Sequence, residues 1–157
     1  MAETPWMVFN GFEGSVVSMM LFTLLLLCVS AFVSGSETAF FSLSHRDLQD
    51  LEKRDAETAN RVVSLLSNVD LLLATILVVN NLVNISITIL TASIIDSLFT
   101  FYRFDFLFKT VLVTFLLLLF GEVLPKVFAQ TSPARFASFA ARPIQLLQSL
   151  FRPLSMI

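Results

Sequence analysis

Between Ser15 and Val33 the chain runs VVSMMLFTLLLLCVSAFV, without one charged side chain. A helix rising about 1.5 Å per residue needs roughly 20 such residues to cross a bilayer, so this stretch specifies a membrane span. Two more apolar stretches follow. One extends from Val69 to about Ile95, interrupted by Asp70, Asn80, Asn81 and Asn84, and the other from Phe106 to Leu124, with Lys109 near enough to its start to snorkel outward. Lipid offers no partner to a free N–H or C=O, so such segments span as helices. The expected fold is an all-α membrane protein, a single transmembrane domain over 1–157 with spans at about 15–36, 69–95 and 106–124. Its 56% hydrophobic and 14% charged residues, with a mean hydropathy of +0.83, lie outside the range of soluble domains.

The segments between the spans differ in kind. Residues 44–68, HRDLQDLEKRDAETANRVVSLLSN after Ser44, mix both signs of charge, and Ser44 with Asp47 has the spacing of a capping pair. This predicts two short surface helices, the second with an apolar face of Ala59, Val62, Val63 and Leu66 that lies either on the bilayer or against other helices. Residues 132–152 form an amphipathic stretch whose polar stripe is Arg135, Ser138, Arg142, Gln145, Ser149 and Arg152, expected to lie in the membrane interface and to be split by Pro143. Trp6 and Tyr102 flank apolar runs, where amphipathic rings prefer the headgroup level. Met1 to Gly14 contain no Lys or Arg, so the start lacks the basic region of a cleavable signal peptide and reads as mature sequence. Eight basic residues, Arg46, Lys53, Arg54, Arg61, Lys126, Arg135, Arg142 and Arg152, fall on one side of the spans, against Arg103 and Lys109 on the other. The positive-inside rule then puts the amino terminus outside and the carboxyl terminus in the cytoplasm.

Three polar patches interrupt the apolar sequence: Ser34-Gly35-Ser36 followed by Glu37, Asn80-Asn81 with Asn84, and Gly121-Glu122 before Pro125. The first reads as a break in span one and the third as a helix end at Pro125, each leaving carbonyls free. Asn80, Asn84, Thr88 and Thr91 share one face of a helix. Together these residues supply hydroxyl, amide, carboxylate and main-chain oxygens, the donors that a hard divalent cation such as Mg²⁺ takes. One carboxylate compensates such a charge only in part, which suits a carrier that must also release its ion. The bland alternative is that Asn, Ser and Thr hold helices together, at about 1 kcal/mol per interhelical bond. An acid beside a helix break in apolar sequence is harder to account for that way. Glu37 is either a second acid or a solvated residue at the end of span one.

Catalysis finds no support. The lone histidine, His45, opens a charged surface helix rather than facing an intramembrane serine, and neither H-E-x-x-H nor a glycine-rich nucleotide loop is present. With net charge −2 and no basic, aromatic-interleaved tract, nucleic acid is not an expected partner. Cys28, the single cysteine, excludes an intrachain disulfide.

The strings FVSGSETAFFSLSHRDL, LVVNNLVNISITIL and FGEVLPKVFAQ, in this order and separation, resemble the transmembrane domain of the CNNM/CorC family of magnesium transport proteins, a likeness that covers the chain from about Ser15 onward. The resemblance implies a homodimer in the plasma membrane, each protomer giving three spans and a belt of juxtamembrane helices, and transport of Mg²⁺ outward in exchange for Na⁺. It implies a dehydrated Mg²⁺ held by serine hydroxyl and main-chain oxygens of span one, an asparagine of span two and the glutamate of the G-E-x-x-P-K motif. These correspond to Ser34 or Ser36, Asn80 or Asn84, and Glu122 beside Gly121. The cytoplasmic CBS modules and terminal domain of the family are not in this sequence, so ATP is not an expected ligand. The alternative function is a non-transporting Mg²⁺ sensor or a membrane scaffold.

Overall fold

The computed structural model describes residues 7–101 and 105–155; Trp6, Tyr102 and Arg103 lie outside them. Three helical stretches are long and apolar enough to cross a membrane: Gly14–Ser42, Val69–Leu98 and Leu107–Thr131. The first is helix α1 (Gly14–Ser42). Two short helices follow, α2 (His45–Arg54) and α3 (Ala56–Leu66), and then α4 (Val69–Leu98) returns across the bundle. The third crossing is composite. It begins as α5 (Asp105–Leu116), widens into a π-helical segment (Leu117–Val123) and tightens again as α6 (Leu124–Thr131). Helix α7 (Pro133–Ser155) ends the described chain.

Two strands outside the spans tie one end of the bundle together. Strand β1 (Met7–Phe9) pairs antiparallel with β2 (Phe99–Phe101), and Asn10 reinforces the pair by donating its backbone N–H to the Leu98 carbonyl at 2.6 Å and its amide to Thr100 Oγ1 at 3.1 Å. At the same end Lys109 pairs with Asp96 at the end of α4. At the other end the capping box forms as expected: Ser44 Oγ accepts from the Asp47 N–H at 3.2 Å, and the Asp47 carboxylate accepts from the Ser44 N–H at 2.9 Å. The backbone and hydroxyl donors of Ser44 hold the Asp47 carboxyl below its usual range, and the hydroxyl and N–H of Thr58 do the same for Asp55, which caps α3. A lowered carboxyl pKa adds stability that is complete above the ordinary carboxylate range and is lost as the pH falls through the lowered value.

The belt differs from expectation in two places. On α3 the buried face is Ala59, Val62 and Leu65, with Val63 turned outward, because the helix packs against α7. Pro143 does not split α7. It removes one helical donor, but Ala137, Ala140, Ala141 and Ile144, all fully buried, press both halves onto one surface and keep the helix continuous.

Helix α1 is the hub, packing on α4, α6, α7 and the π-helical segment. The break expected at Ser34-Gly35-Ser36 is absent: α1 runs unbroken through all three residues, which are fully or almost fully buried. Small side chains here admit neighbours instead of loosening the helix, the usual role of such residues between membrane helices. The Phe136 ring of α7 sits so close to Gly35 that a Cβ there would lie 2.6 Å from Cζ. The ring has little room to retreat, since it stacks on Phe32 with centroids 6.2 Å apart. The interruption lies in span three, where the Leu124 N–H bonds the Leu119 carbonyl across the wider turn and Pro125 falls in the first turn of α6. Pro125 therefore does not end the helix; the wider turn before it accommodates the missing N–H.

Gly35→Ala should destabilise the domain by about 1–3 kcal/mol through overpacking. Thermal unfolding in detergent measures this, and Phe136→Leu in the same background should recover most of the loss; no loss from Gly35→Ala would mean that the ring does not rest on the glycine.

Candidate functional site

Midway along α1, Ser30 is fully buried against α4 and the third span. Its hydroxyl donates to Asn84 Oδ1 at 2.8 Å, with Asn80 Oδ1 a longer alternative at 3.4 Å. Asn80 and Asn84 lie one turn apart, which is why one serine reaches both. The Asn84 amide in turn donates to Glu122 Oε1 at 3.4 Å. Gly121 closes the arrangement from the third span: a Cβ there would stand 3.1 Å from Ser30 Oγ, so glycine lets the π-helical backbone approach the serine. Three spans thus contribute to one polar junction, Ser30 from α1, Asn80 and Asn84 from α4, Gly121 and Glu122 from the π-helical segment.

The local sequence explains the placement. The wider π turn bulges the helix and changes which residues face inward, and Gly121 and Glu122 both reach the junction, one at Ser30 and the other at Asn84. Pro125 supports this register by having no N–H to restore regular α-helical bonding there.

The structure brings Asn80, Asn84, Gly121 and Glu122 together and treats the two expected serines differently. Ser34, one turn beyond Ser30 on α1, is fully buried, and its hydroxyl finds no hydrogen-bond partner among the described residues. Ser36 donates to its own helix, at the Phe32 carbonyl, 2.6 Å away. Asn81 is exposed. Thr88 bonds the Asn84 carbonyl at 2.9 Å, and Thr91 lines an apolar cleft of about 630 Å³ between α1, α4 and α5. Glu37 forms a half-exposed ion pair with Lys126 at 3.4 Å, a kind of pair that contributes little to stability. Ser30 is the residue that sequence reading passes over. Its one signal is the step of four to Ser34, which places both hydroxyls on one face of α1.

Among the described residues no group of three or more His, Cys, Asp or Glu is placed to hold a metal. The junction offers one carboxylate with neutral oxygens from amides, hydroxyls and main chain. That donor set has no soft ligand and fits a hard cation rather than zinc or copper.

The Cyclin M transmembrane N-terminal domain model matches residues 21–157. The chain belongs to this family. A UPF0053 protein of Haemophilus influenzae is 35% identical over 136 residues, 85% of this chain and 32% of that protein. The UPF0053 inner membrane protein YfjD of Escherichia coli is 36% identical over 122 residues, 76% of this chain and 28% of that one. The chain therefore spans about a third of the length of these curated relatives. Spans two and three, most of span one and both amphipathic surface regions of this Cyclin M domain fall within the matched residues, as does the polar junction, and the domain is a multi-pass membrane protein.

A double-mutant cycle of Ser30→Ala and Asn84→Ala, followed by unfolding in detergent, should show a coupling of about 1 kcal/mol, the scale of an interhelical hydrogen bond in a membrane. Strict additivity would mean that the two side chains do not meet.

Proposed function

We propose that this domain carries Mg²⁺ across the plasma membrane through the junction of Ser30, Asn84 and Glu122. The observation that carries the reading is Glu122, a half-buried carboxylate set between three spans at the π-helical segment, with neutral oxygens on the facing helices. A carboxylate so placed is expensive unless a cation or hydrogen bonds compensate it, and one negative charge leaves a divalent ion exchangeable. Membership of the Cyclin M family supports transport as the activity.

In this reading the ion takes Glu122, the amide oxygen of Asn84 or Asn80, and main-chain oxygen beside Gly121, where Pro125 cannot close the helical ladder. Ser34 or Ser36 supplies hydroxyl oxygen from α1. The buried Ser34 hydroxyl is the better placed of the two by this criterion, being unspent on its own helix. The Asn84 amide now occupies Glu122 Oε1, so loading the ion exchanges a hydrogen bond for a metal contact. Orientation with the amino terminus outside, outward movement, exchange with Na⁺ and assembly as a homodimer belong to the same proposal. They rest on the basic residues of the α2–α3 and α7 segments and on the family resemblance.

The hydrogen-bond chain also supports a second reading, in which Ser30, Asn84 and Glu122 only hold helices together in a scaffold or sensor. Flux and stability separate the two. Glu122→Gln keeps the hydrogen-bonding shape and should lower Mg²⁺ flux into proteoliposomes about tenfold to a hundredfold, the range seen when a metal site loses support. Its Mg²⁺-dependent thermal stabilisation should vanish while stability without Mg²⁺ stays close to wild type. Unchanged flux with lowered stability would establish the scaffold, and Mg²⁺ binding without flux in the wild type the sensor. Of Asn80→Ala and Asn84→Ala, the one that removes a ligand should weaken Mg²⁺ binding, and the other should lower stability alone.

A further inference from the structure

Between the polar junction and the β1–β2 end of the bundle, helices α4 and α5 leave a groove of about 380 Å³. Thr88, Ala92 and Asp96 line it from α4, and Lys109 and Thr114 from α5. Together with Asn84, the three α4 residues form one ridge at steps of four, so a polar or small side chain stands at every turn from the junction to the end of span two. The lowest rung is joined to the junction itself: Thr88 Oγ1 donates to the Asn84 carbonyl at 2.9 Å, which leaves the hydroxyl oxygen as an acceptor. The highest rung is the Asp96–Lys109 ion pair, in the last turn of span two and the first turn of span three.

The larger cleft between α1, α4 and α5, about 630 Å³, also stops one turn short of the junction, at Leu27, Ile87 and Leu117. Its character is the opposite. Among the described residues no charged side chain lines it, and Thr23 spends its hydroxyl on the Met19 carbonyl at 2.8 Å. Apolar cavities stay dry, whereas water enters a space that is roomy and offers each molecule roughly two to four polar partners. The α4–α5 groove meets both conditions, with hydroxyls, a carboxylate and an ammonium group around one space. Thr88, Asp96 and Thr114 are all exposed although they belong to spans, and polar groups at that depth face water or one another. We propose that the α4–α5 groove is a water-filled vestibule through which a hydrated divalent cation passes between the junction and the β1–β2 side of the membrane. The vestibule presupposes the carrier reading of the junction. Asp96 and Lys109 balance each other's charge, so the groove conducts a hydrated ion without capturing it, and dehydration falls to Asn84 and Glu122 one turn further in.

The test places single cysteines in the whole chain, with Cys28→Ser removing the native thiol, in oriented membrane vesicles treated with a charged, membrane-impermeant methanethiosulfonate. Glu13→Cys and Lys53→Cys, both at exposed positions, mark the β1–β2 side and the opposite side. From the β1–β2 side, Thr88→Cys and Ala92→Cys should react at least about tenfold faster than Ile89→Cys, because a thiol in apolar surroundings forms its reactive thiolate far less readily. Ile89 lies at the same depth and is 61% exposed, but it is not part of the groove lining. Equal rates at the three positions would overturn the proposal, as would reaction of Thr88→Cys and Ala92→Cys from the opposite side alone. Mg²⁺ flux adds a second readout: it should fall when Thr88→Cys is modified, and unchanged flux through fully modified protein would also overturn the route. The expected labelling in a chain that carries no Mg²⁺ would uphold the water-filled groove and fault the carrier reading instead. Should Thr88→Cys fail to fold, Ala92→Cys, which removes no hydrogen bond, decides both readouts.

Discussion

Placing one carboxylate among three apolar helices sets the terms for the rest of the molecule. Glu122 lies on a span whose neighbours are Leu, Phe and Val, and a charge in that setting must be compensated or kept next to water. Each departure from regularity near it serves this end. Gly121 brings the backbone close to Ser30, the π turn directs glycine and glutamate to one side, and Asn84 meets the acid with an amide. Each polar group in the series gives its hydrogen bond to the next, from Ser30 to Asn84 to Glu122. The chain leaves these polar groups satisfied by one another within the apolar bundle.

Small residues let α1 approach its neighbours closely around the junction. Helices in lipid gain little from the hydrophobic effect and associate by close packing. Helix α1 accordingly meets its partners through Ser30, Ser34, Gly35, Ser36 and Ala39, all buried. Helix α7 brings Ala137, Ala140 and Ala141 to the same core. The belt is thus part of the bundle, with Phe136 seated on Gly35 as its contact nearest the serines.

Much of this was legible in the sequence. Three spans follow from charge-free length, the Ser44–Asp47 capping box from its spacing, and the convergence of Asn84 with Glu122 from the cost of polar groups in lipid. What escaped was decided by tertiary contact. The sequence SGS reads equally as a break or as a packing face, and the choice depends on a phenylalanine 101 positions later in the chain, since Phe136 covers Gly35. Pro143 carries a strong local signal for a helix boundary, which the buried alanines before it and the buried Ile144 after it override. The π turn has no period to detect, and Pro125 marks its neighbourhood without saying whether the helix ends or widens. Ser30 looks like any serine in a span until Gly121 and Asn84 are placed beside it.

The central claim is that the three spans meet in order to hold a hard divalent cation. The direct measurement is the anomalous scattering of Mn²⁺, a Mg²⁺ substitute that also favours oxygen ligands, in crystals of the domain grown with the ion. An anomalous peak is expected within about 2.2 Å of a Glu122 carboxylate oxygen and an amide oxygen of Asn80 or Asn84. A peak confined to surface acids such as Asp47 and Asp50, with the Ser30–Asn84–Glu122 hydrogen bonds unchanged, would contradict it.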